Sequence, residues 1–367
     1  MSALNMFQNC KIEGTGIDPR GYHGQNAAEP RGSEKFVMSP SSVKAFAAQP
    51  HRWRQGYQPP QSRAQRWGDV LDCRWLTPGA FEKRFAVEPL TYSVTVMRCP
   101  SCGSETDSKS CRRCGVERVG VETCKPWRYG ASIPDGWLAD RLAEGKEPIS
   151  NAEVVECDKA IATLLEPVGG DDTIQRWFDA SDRQVLVRGE WHDEDTGLVI
   201  PVSCLLDFAP RKDTEFSDCL GDFKTTTSAH PGKFTRQAFQ YGYHIQAAMD
   251  LDLYQAATGE PRSTWCFIIQ ESYEPWEVNR AMFGQEADMG QPGFVDLGRM
   301  AYRKALANYC KCLQSGRWPR YNDSEQTVQG WCVLRPTPWM EGEEMDLRFD
   351  ADEMPEPEPS NDGEIIP

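Results

Sequence analysis

Apolar residues recur at helical spacing in several stretches of this chain and at strand spacing in a block between them. Ser39 followed by Pro40, with Val43, Phe46 and Ala47 on one face, predicts an N-capped helix. Val70, Leu71, Trp75 and Leu76 predict a second, and Thr77-Pro78 restarts a short one through Phe81 and Phe85. Val154, Val155, Ala160, Ile161 and Leu164 predict a helix over 151–165, and further long helices are expected over 234–257 and 299–315. Strand-like patterns fill 185–224, with Asp195-Thr196-Gly197 as a turn, and the run 265–270 reads as a buried strand. Helices, a strand cluster, then helix and strand point to an α/β fold, a mixed central sheet flanked by helices. Residues 1–35, rich in Gly, Asn, Pro and Gln, read as a flexible N-terminal arm.

Composition supports a folded globule: 367 residues, 39% hydrophobic, with twelve Trp. The formal charge of −15 is unevenly spread, since eleven acidic residues in 341–367 face Arg348 alone. That acidic, Pro-rich segment is expected to be a disordered tail. Without it, 39 Lys and Arg stand against 44 Asp and Glu, and a basic stretch from Arg52 to Arg84 is interleaved with Trp53, Tyr57, Trp67 and Trp75. Charge therefore neither excludes nor supports contact with nucleic acid. No apolar run reaches membrane-spanning length, and the first residues lack a secretory pattern, so a cytoplasmic location without membrane association is expected.

Asp222-Phe223-Lys224, fifteen residues after Asp207, is the most telling motif. Residues two apart on a strand share a face, so Asp222 and Lys224 project together while Phe223 enters the opposite layer. Two carboxylates can hold a hard divalent cation, and the ammonium can orient water or offset charge in a phosphoryl transition state. An Asp-x-Lys triplet is also an ordinary solvated strand face. The apolar approach 199–206 argues against that reading, because charges ending buried strands are costly unless paired or bound to a cation.

Of fourteen cysteines, Cys99, Cys102, Cys111 and Cys114 form two Cys-x-x-Cys-Gly knuckles. Each knuckle offers two thiolates, and the glycine permits the tight turn beneath them. We read 95–128 as an inserted structural Zn²⁺ module, with an iron–sulfur cluster or free thiols as alternatives. The module carries more basic than acidic residues, so contact with a phosphate backbone and a purely structural role both stay open.

Trp67-Gly68-Asp69-Val70-Leu71-Asp72-Cys73, followed by Thr77-Pro78 and Phe81-Glu82-Lys83-Arg84-Phe85, resembles the catalytic-helix motif of exonuclease VIII-type (RecE-like) phage and prophage exodeoxyribonucleases. These belong to the PD-(D/E)XK nuclease superfamily. Thr196-Gly197, Leu206-Asp207, Asp222-Phe223-Lys224-Thr225-Thr226, Tyr243-His244-Ile245-Gln246 and Trp318-Pro319-Arg320-Tyr321 follow in that family's order. The resemblance implies a PD-(D/E)XK exonuclease domain over 36–335, interrupted by the zinc module. It implies Asp72, Asp207 and Asp222 as ligands of Mg²⁺ or Mn²⁺, Lys224 as catalytic lysine, and Gln246 as a residue that supports the site or contacts substrate. In two places the chain departs: Asp72 stands where the family commonly has His, and Asp250 where it usually has Tyr.

The activity so implied is digestion of linear double-stranded DNA from its ends, 5′-to-3′. It would expose single strands for an annealing protein, and the enzyme would be a ring-shaped homo-oligomer in the cytoplasm of a bacterial host. The two departures keep open a non-catalytic DNA-binding recombination accessory that retained the fold.

Overall fold

The computed structural model describes residues 6–26, 28–57, 60–167, 171–283 and 292–320, with 323, 327–328 and 331–332. The chain runs through β1 (Phe7–Gly14), α1 (Pro19–Asn26), α2 (Pro40–Ala48), α3 (Pro50–Arg54), α4 (Arg63–Leu76), α5 (Pro78–Arg84) and β2 (Phe85–Val87). It continues through β3 (Thr91–Arg98), β4 (Val119–Pro126), α6 (Ser132–Ala143), β5 (Glu147–Ile149), α7 (Asn151–Leu165) and α8 (Thr173–Ala180). Then come β6 (Ser181–His192), β7 (Val199–Pro210), β8 (Cys219–Thr226), α9 (Pro231–Gln240), α10 (Tyr243–Thr258), β9 (Thr264–Glu271), β10 (Val278–Phe283) and α11 (Phe294–Ser315).

Several elements begin where local chemistry dictates. Ser39 Oγ accepts the Ser42 amide ahead of Pro40 at the start of α2. Ser62 with Gln65, and Ser150 with Glu153, form reciprocal capping boxes on α4 and α7. The main sheet has the order β1-β6-β7-β8-β9-β10; β8 and β9 are parallel and the remaining neighbours antiparallel. Alternation along β8 and β9 divides the core. Leu220, Trp265, Phe267 and Ile269 join the layer with α2, α10 and α11, while Phe223 and Ile268 join Trp75, Phe81, Leu164 and Trp177 from α4, α5, α7 and α8. The sheet is thus mixed and covered by helices on both faces, as the pattern predicts.

Three expectations need correction. Residues 7–26 of the expected flexible arm are structured: β1 pairs with β6 at the sheet edge, and Tyr22 of α1 is buried against Ser203. An edge strand buries little, only Phe7 here, so it shows no apolar alternation to read. The single helix expected over 234–257 is two, parted at Gly242, whose φ of +66° is left-handed. Helices α3, α6 and α8 lie where none is expected.

Residues up to Trp318 form one compact unit and those from Pro319 another. In the second, β11 (Thr327–Val328) pairs antiparallel with β12 (Trp331–Cys332). The expected acidic tail at 341–367, and the end of the expected nuclease domain at 333–335, lie outside the described residues.

Candidate active site

β7 and β8 pair only at Phe208 and Gly221, and beyond that point the ladder between them is open. Asp207 fills the break. Its Oδ2 accepts the Phe223 amide at 2.9 Å, replacing a strand-to-strand bond, and its Oδ1 accepts Gln184 Nε2 at 3.1 Å. Gln184 faces Asp207 across β6 and β7, between the pairs Arg183–Phe208 and Val185–Leu206. Its backbone is left-handed, with φ of +48°, an uncommon and strained conformation for a residue with a side chain.

The opening leads into a cavity of about 790 Å³ lined by Asp72, Asp207, Asp222, Lys224 and Gln246, the five residues singled out from the sequence. Asp222 and Lys224 share a face of β8 and form an ion pair through Oδ2 and Nζ. Gln246, on α10, donates from Nε2 to Asp222 Oδ1 at 3.4 Å. Asp72 comes from α4, which presses on β8 at Gly68. A Cβ at Gly68 would lie 2.8 Å from Thr225 Oγ1, so only glycine permits this approach. Gly68 and Asp72 are one turn apart on the same helix face, so the contact that docks α4 also delivers the carboxylate.

Electrostatics follow from this crowding. Burial, and then the Asp222 charge, push Asp72 up to about 7 and hold Asp207 well above the usual carboxylate range. Burial acts against the Lys224 ammonium, but Asp222, Tyr243 and Asp207 outweigh it and hold its pKa above the ordinary value. Such a site favours added positive charge. Oxygen-only donors on Asp72, Asp207 and Asp222 suit a hard divalent cation such as Mg²⁺ or Mn²⁺, so the residues fit the expected metal. They are spread more widely than the cysteine ligands described below.

Sequence reasoning missed Gln184 and Lys44. Lys44, on α2, reaches into the cavity and donates to Gln246 Oε1 at 3.4 Å. With Lys224 it flanks Tyr243, the two ammonium groups lying 5.5 Å and 5.1 Å from that ring. Burial, then Lys224, lowers Lys44 to about 8. No local motif marks either residue, because each matters only through what it faces. Glu190 of β6 lies apart from these acids: it bonds Asn9 and His192 and does not line the cavity.

The cysteine module is a β3–β4 hairpin, paired from Thr91–Pro126 to Arg98–Val119, that carries both knuckles at its end. The Gly103 amide donates to Cys99 O at 2.9 Å and the Gly115 amide to Cys111 O at 2.8 Å, both glycines having φ of +71°. The four Sγ atoms lie within 4.8 Å of one another, and among the described residues no other cluster of three or more potential ligands is so close. Cys102 and Cys111 Sγ are 3.7 Å apart. Tetrahedral zinc with Zn–S of about 2.3 Å needs sulfurs about 3.8 Å apart, so the cluster can bind a metal such as zinc.

No protein-family model matches the chain, and no curated protein resembles it in sequence. Among solved structures it is similar to a protein from Eubacterium rectale described as "Putative exonuclease", 13% identical over 89% of this chain and 98% of that one, with a TM-score of 0.46. It is more distantly similar to SSO0001, 12% identical over 41% of this chain and 59% of that one, with a TM-score of 0.24. Likenesses of this degree do not assign the chain to a family. No described helix is long and apolar enough to cross a membrane.

Proposed function

We propose that this protein is a metal-dependent nuclease of the PD-(D/E)XK kind that degrades linear double-stranded DNA from its ends. One observation carries the reading: Asp222 and Lys224 on one face of β8, Asp207 in the break beside them and Asp72 on α4 all line a single cavity. Asp72, Asp207 and Asp222 would hold Mg²⁺ or Mn²⁺, which would supply Lewis acidity and acidify a water. Lys224 orients the attacking water and offsets charge building on the phosphoryl oxygens. Gln246 restrains Asp222, Gln184 restrains Asp207, and Lys44 adds a second positive charge facing a phosphate. We assign the cysteine cluster to structural zinc.

The resemblance to exonuclease VIII-type enzymes extends this proposal to 5′-to-3′ polarity, a ring-shaped homo-oligomer, a single-strand annealing partner and a phage or prophage role in the host cytoplasm.

End-labelled linear duplex, incubated with Mg²⁺ or with chelator, tests the reading. Digestion is expected with Mg²⁺ only, and Asp222→Ala and Lys224→Ala should each abolish most of it. Undiminished digestion by both variants overturns the assignment. Tight DNA binding without digestion by the wild type would favour the non-catalytic accessory.

A further inference from the structure

The helix that precedes the Gly242 break carries aromatic rings on its outside. α9 turns Phe234 and Ala238 into the core and leaves Lys233, Arg236, Phe239 and Gln240 exposed. Phe239 and Tyr241, two positions apart, are each 56% exposed. Apolar side chains scattered singly over a surface are ordinary, but these two are neighbours and both are backed by other rings. Phe239 stacks on the buried His244, with centroids 4.8 Å apart and planes 11° from parallel. Tyr241 lies 6.0 Å from Tyr243, which lines the cavity beside the ammonium groups of Lys44 and Lys224. The exposed rings therefore continue, through Tyr243, into the cavity that the carboxylates line.

Charge along this segment has one sign. The chain holds 55 acidic residues in 367, yet none falls between Phe223 and Met249, where Lys224, Lys233 and Arg236 stand. A polyanion repelled by a protein of net charge −15 meets no acidic residue of this segment. Ring faces beside positive charge suit unpaired nucleotides, since every base offers a π-face to stack and every phosphate a negative charge. Bases inside a duplex cannot use such rings, because their own neighbours already cover both faces.

We infer that Phe239 and Tyr241, with Lys233 and Arg236 on the exposed side of α9, form a stacking platform for unpaired bases of the DNA strand whose phosphate enters the cavity. The inference deepens the nuclease reading and rests on it for the choice of strand. Stacking is tolerant of sequence, so the platform holds a strand without selecting one. It would keep the last few nucleotides of that strand apart from their complement while the backbone reaches Lys224.

Labelled oligothymidylate and an abasic oligomer of equal length, which keeps the phosphates and lacks the bases, provide the test. Binding to the full chain is followed by fluorescence anisotropy in chelator, so that nothing is cut. The two oligomers carry the same charge, so the acids of the cavity repel them alike. The wild type should bind oligothymidylate about tenfold more tightly than the abasic oligomer, and Phe239→Ala with Tyr241→Ala should bind the two equally. Phe239→Tyr with Tyr241→Phe, which keeps both rings, should retain the preference, and circular dichroism of each variant should match the wild type. Equal affinity of the wild type for the two oligomers, or a preference that survives the loss of both rings, overturns the inference. Should the double alanine variant not fold, Tyr241→Ala alone decides: a reduced preference supports the platform and an undiminished one overturns it. A wild-type dimer in sedimentation that the double alanine variant abolishes, with no base preference, would assign the face to a second copy of the chain and overturn the inference. Digestion of duplex by a wild type that lacks the preference would sink this inference and spare the nuclease reading. The preference without digestion would sink the nuclease reading and leave a surface that binds single strands.

Discussion

The Phe223 amide donates to Asp207 Oδ2 at 2.9 Å where β7 and β8 stop pairing, so a carboxylate stands in for a rung of the sheet. Asp207 therefore has two separable roles. Asp207→Asn keeps an acceptor for the amide and should retain the wild-type melting temperature while activity falls on the order of 10²–10³-fold. Asp207→Ala leaves that buried amide unsatisfied and should also cost about 1–3 kcal/mol in denaturant unfolding. Equal stability losses in the two variants would contradict this division.

Lys224 is the charge partner of Asp222, which is 3% exposed. In chelator, Lys224→Met should destabilise the protein by about 3–5 kcal/mol, because a buried carboxylate loses its counter-charge. Mg²⁺ should then raise the melting temperature of the variant more than that of the wild type. A cation-independent melting temperature in the variant would show that no metal reaches Asp222.

Gly68 sets the approach of α4 to β8. Gly68→Ala should push the helix from Thr225, displace Asp72 and reduce activity, with a stability cost of about 1–3 kcal/mol. Thr225→Ala removes the clashing hydroxyl, so the double variant should recover activity that the single one lost. Failure of that rescue in a folded protein would argue that Asp72 does not depend on this contact.

Cation-free protein should lose stability as pH rises. Asp72 is raised to about 7 in the fold against about 4 in an unfolded chain, so the native state binds the proton more tightly. Its contribution is fully present below about pH 4 and lost as pH climbs through about 7. Asp207, raised in the same direction, extends the loss to higher pH. Thermal denaturation in chelator from pH 5 to 8 should show the decline, and saturating Mg²⁺ should flatten it.

Cys102→Ser with Cys111→Ser should remove bound zinc, as measured by metal analysis of the purified protein. β3 and β4 form a ladder separate from the main sheet, and the residues between the knuckles are largely exposed. Limited proteolysis should therefore open the segment 99–118 while the main melting transition stays near its wild-type temperature.

Features that depend on neighbours a few residues apart are legible in the chain. The Ser39-Pro40 start of α2, the Asp222-Phe223-Lys224 alternation and the paired Cys-x-x-Cys-Gly knuckles each follow from backbone geometry over one or two turns. Helix α4 was legible for the same reason, although its full start at Arg63 rests on a capping box outside its apolar stripe. β1 was not, because an edge strand carries mostly polar residues and gains its place by pairing with β6, more than 170 positions away. Gly242 interrupts what periodicity alone reads as one helix, since a single left-handed residue leaves the apolar spacing on either side intact.

The sequence by itself determined which side chains could hold a cation or zinc, and which face of its own strand or helix each occupies. Only the tertiary structure decided that β7 and β8 part at Asp207, that Gln184 bonds Asp207 there, and that Lys44 reaches Gln246 across the cavity. The reason is range: periodicity and capping act over a few residues, whereas convergence in one cavity depends on packing α2 and α4 against β6, β7, β8 and α10, which follow them by more than a hundred residues.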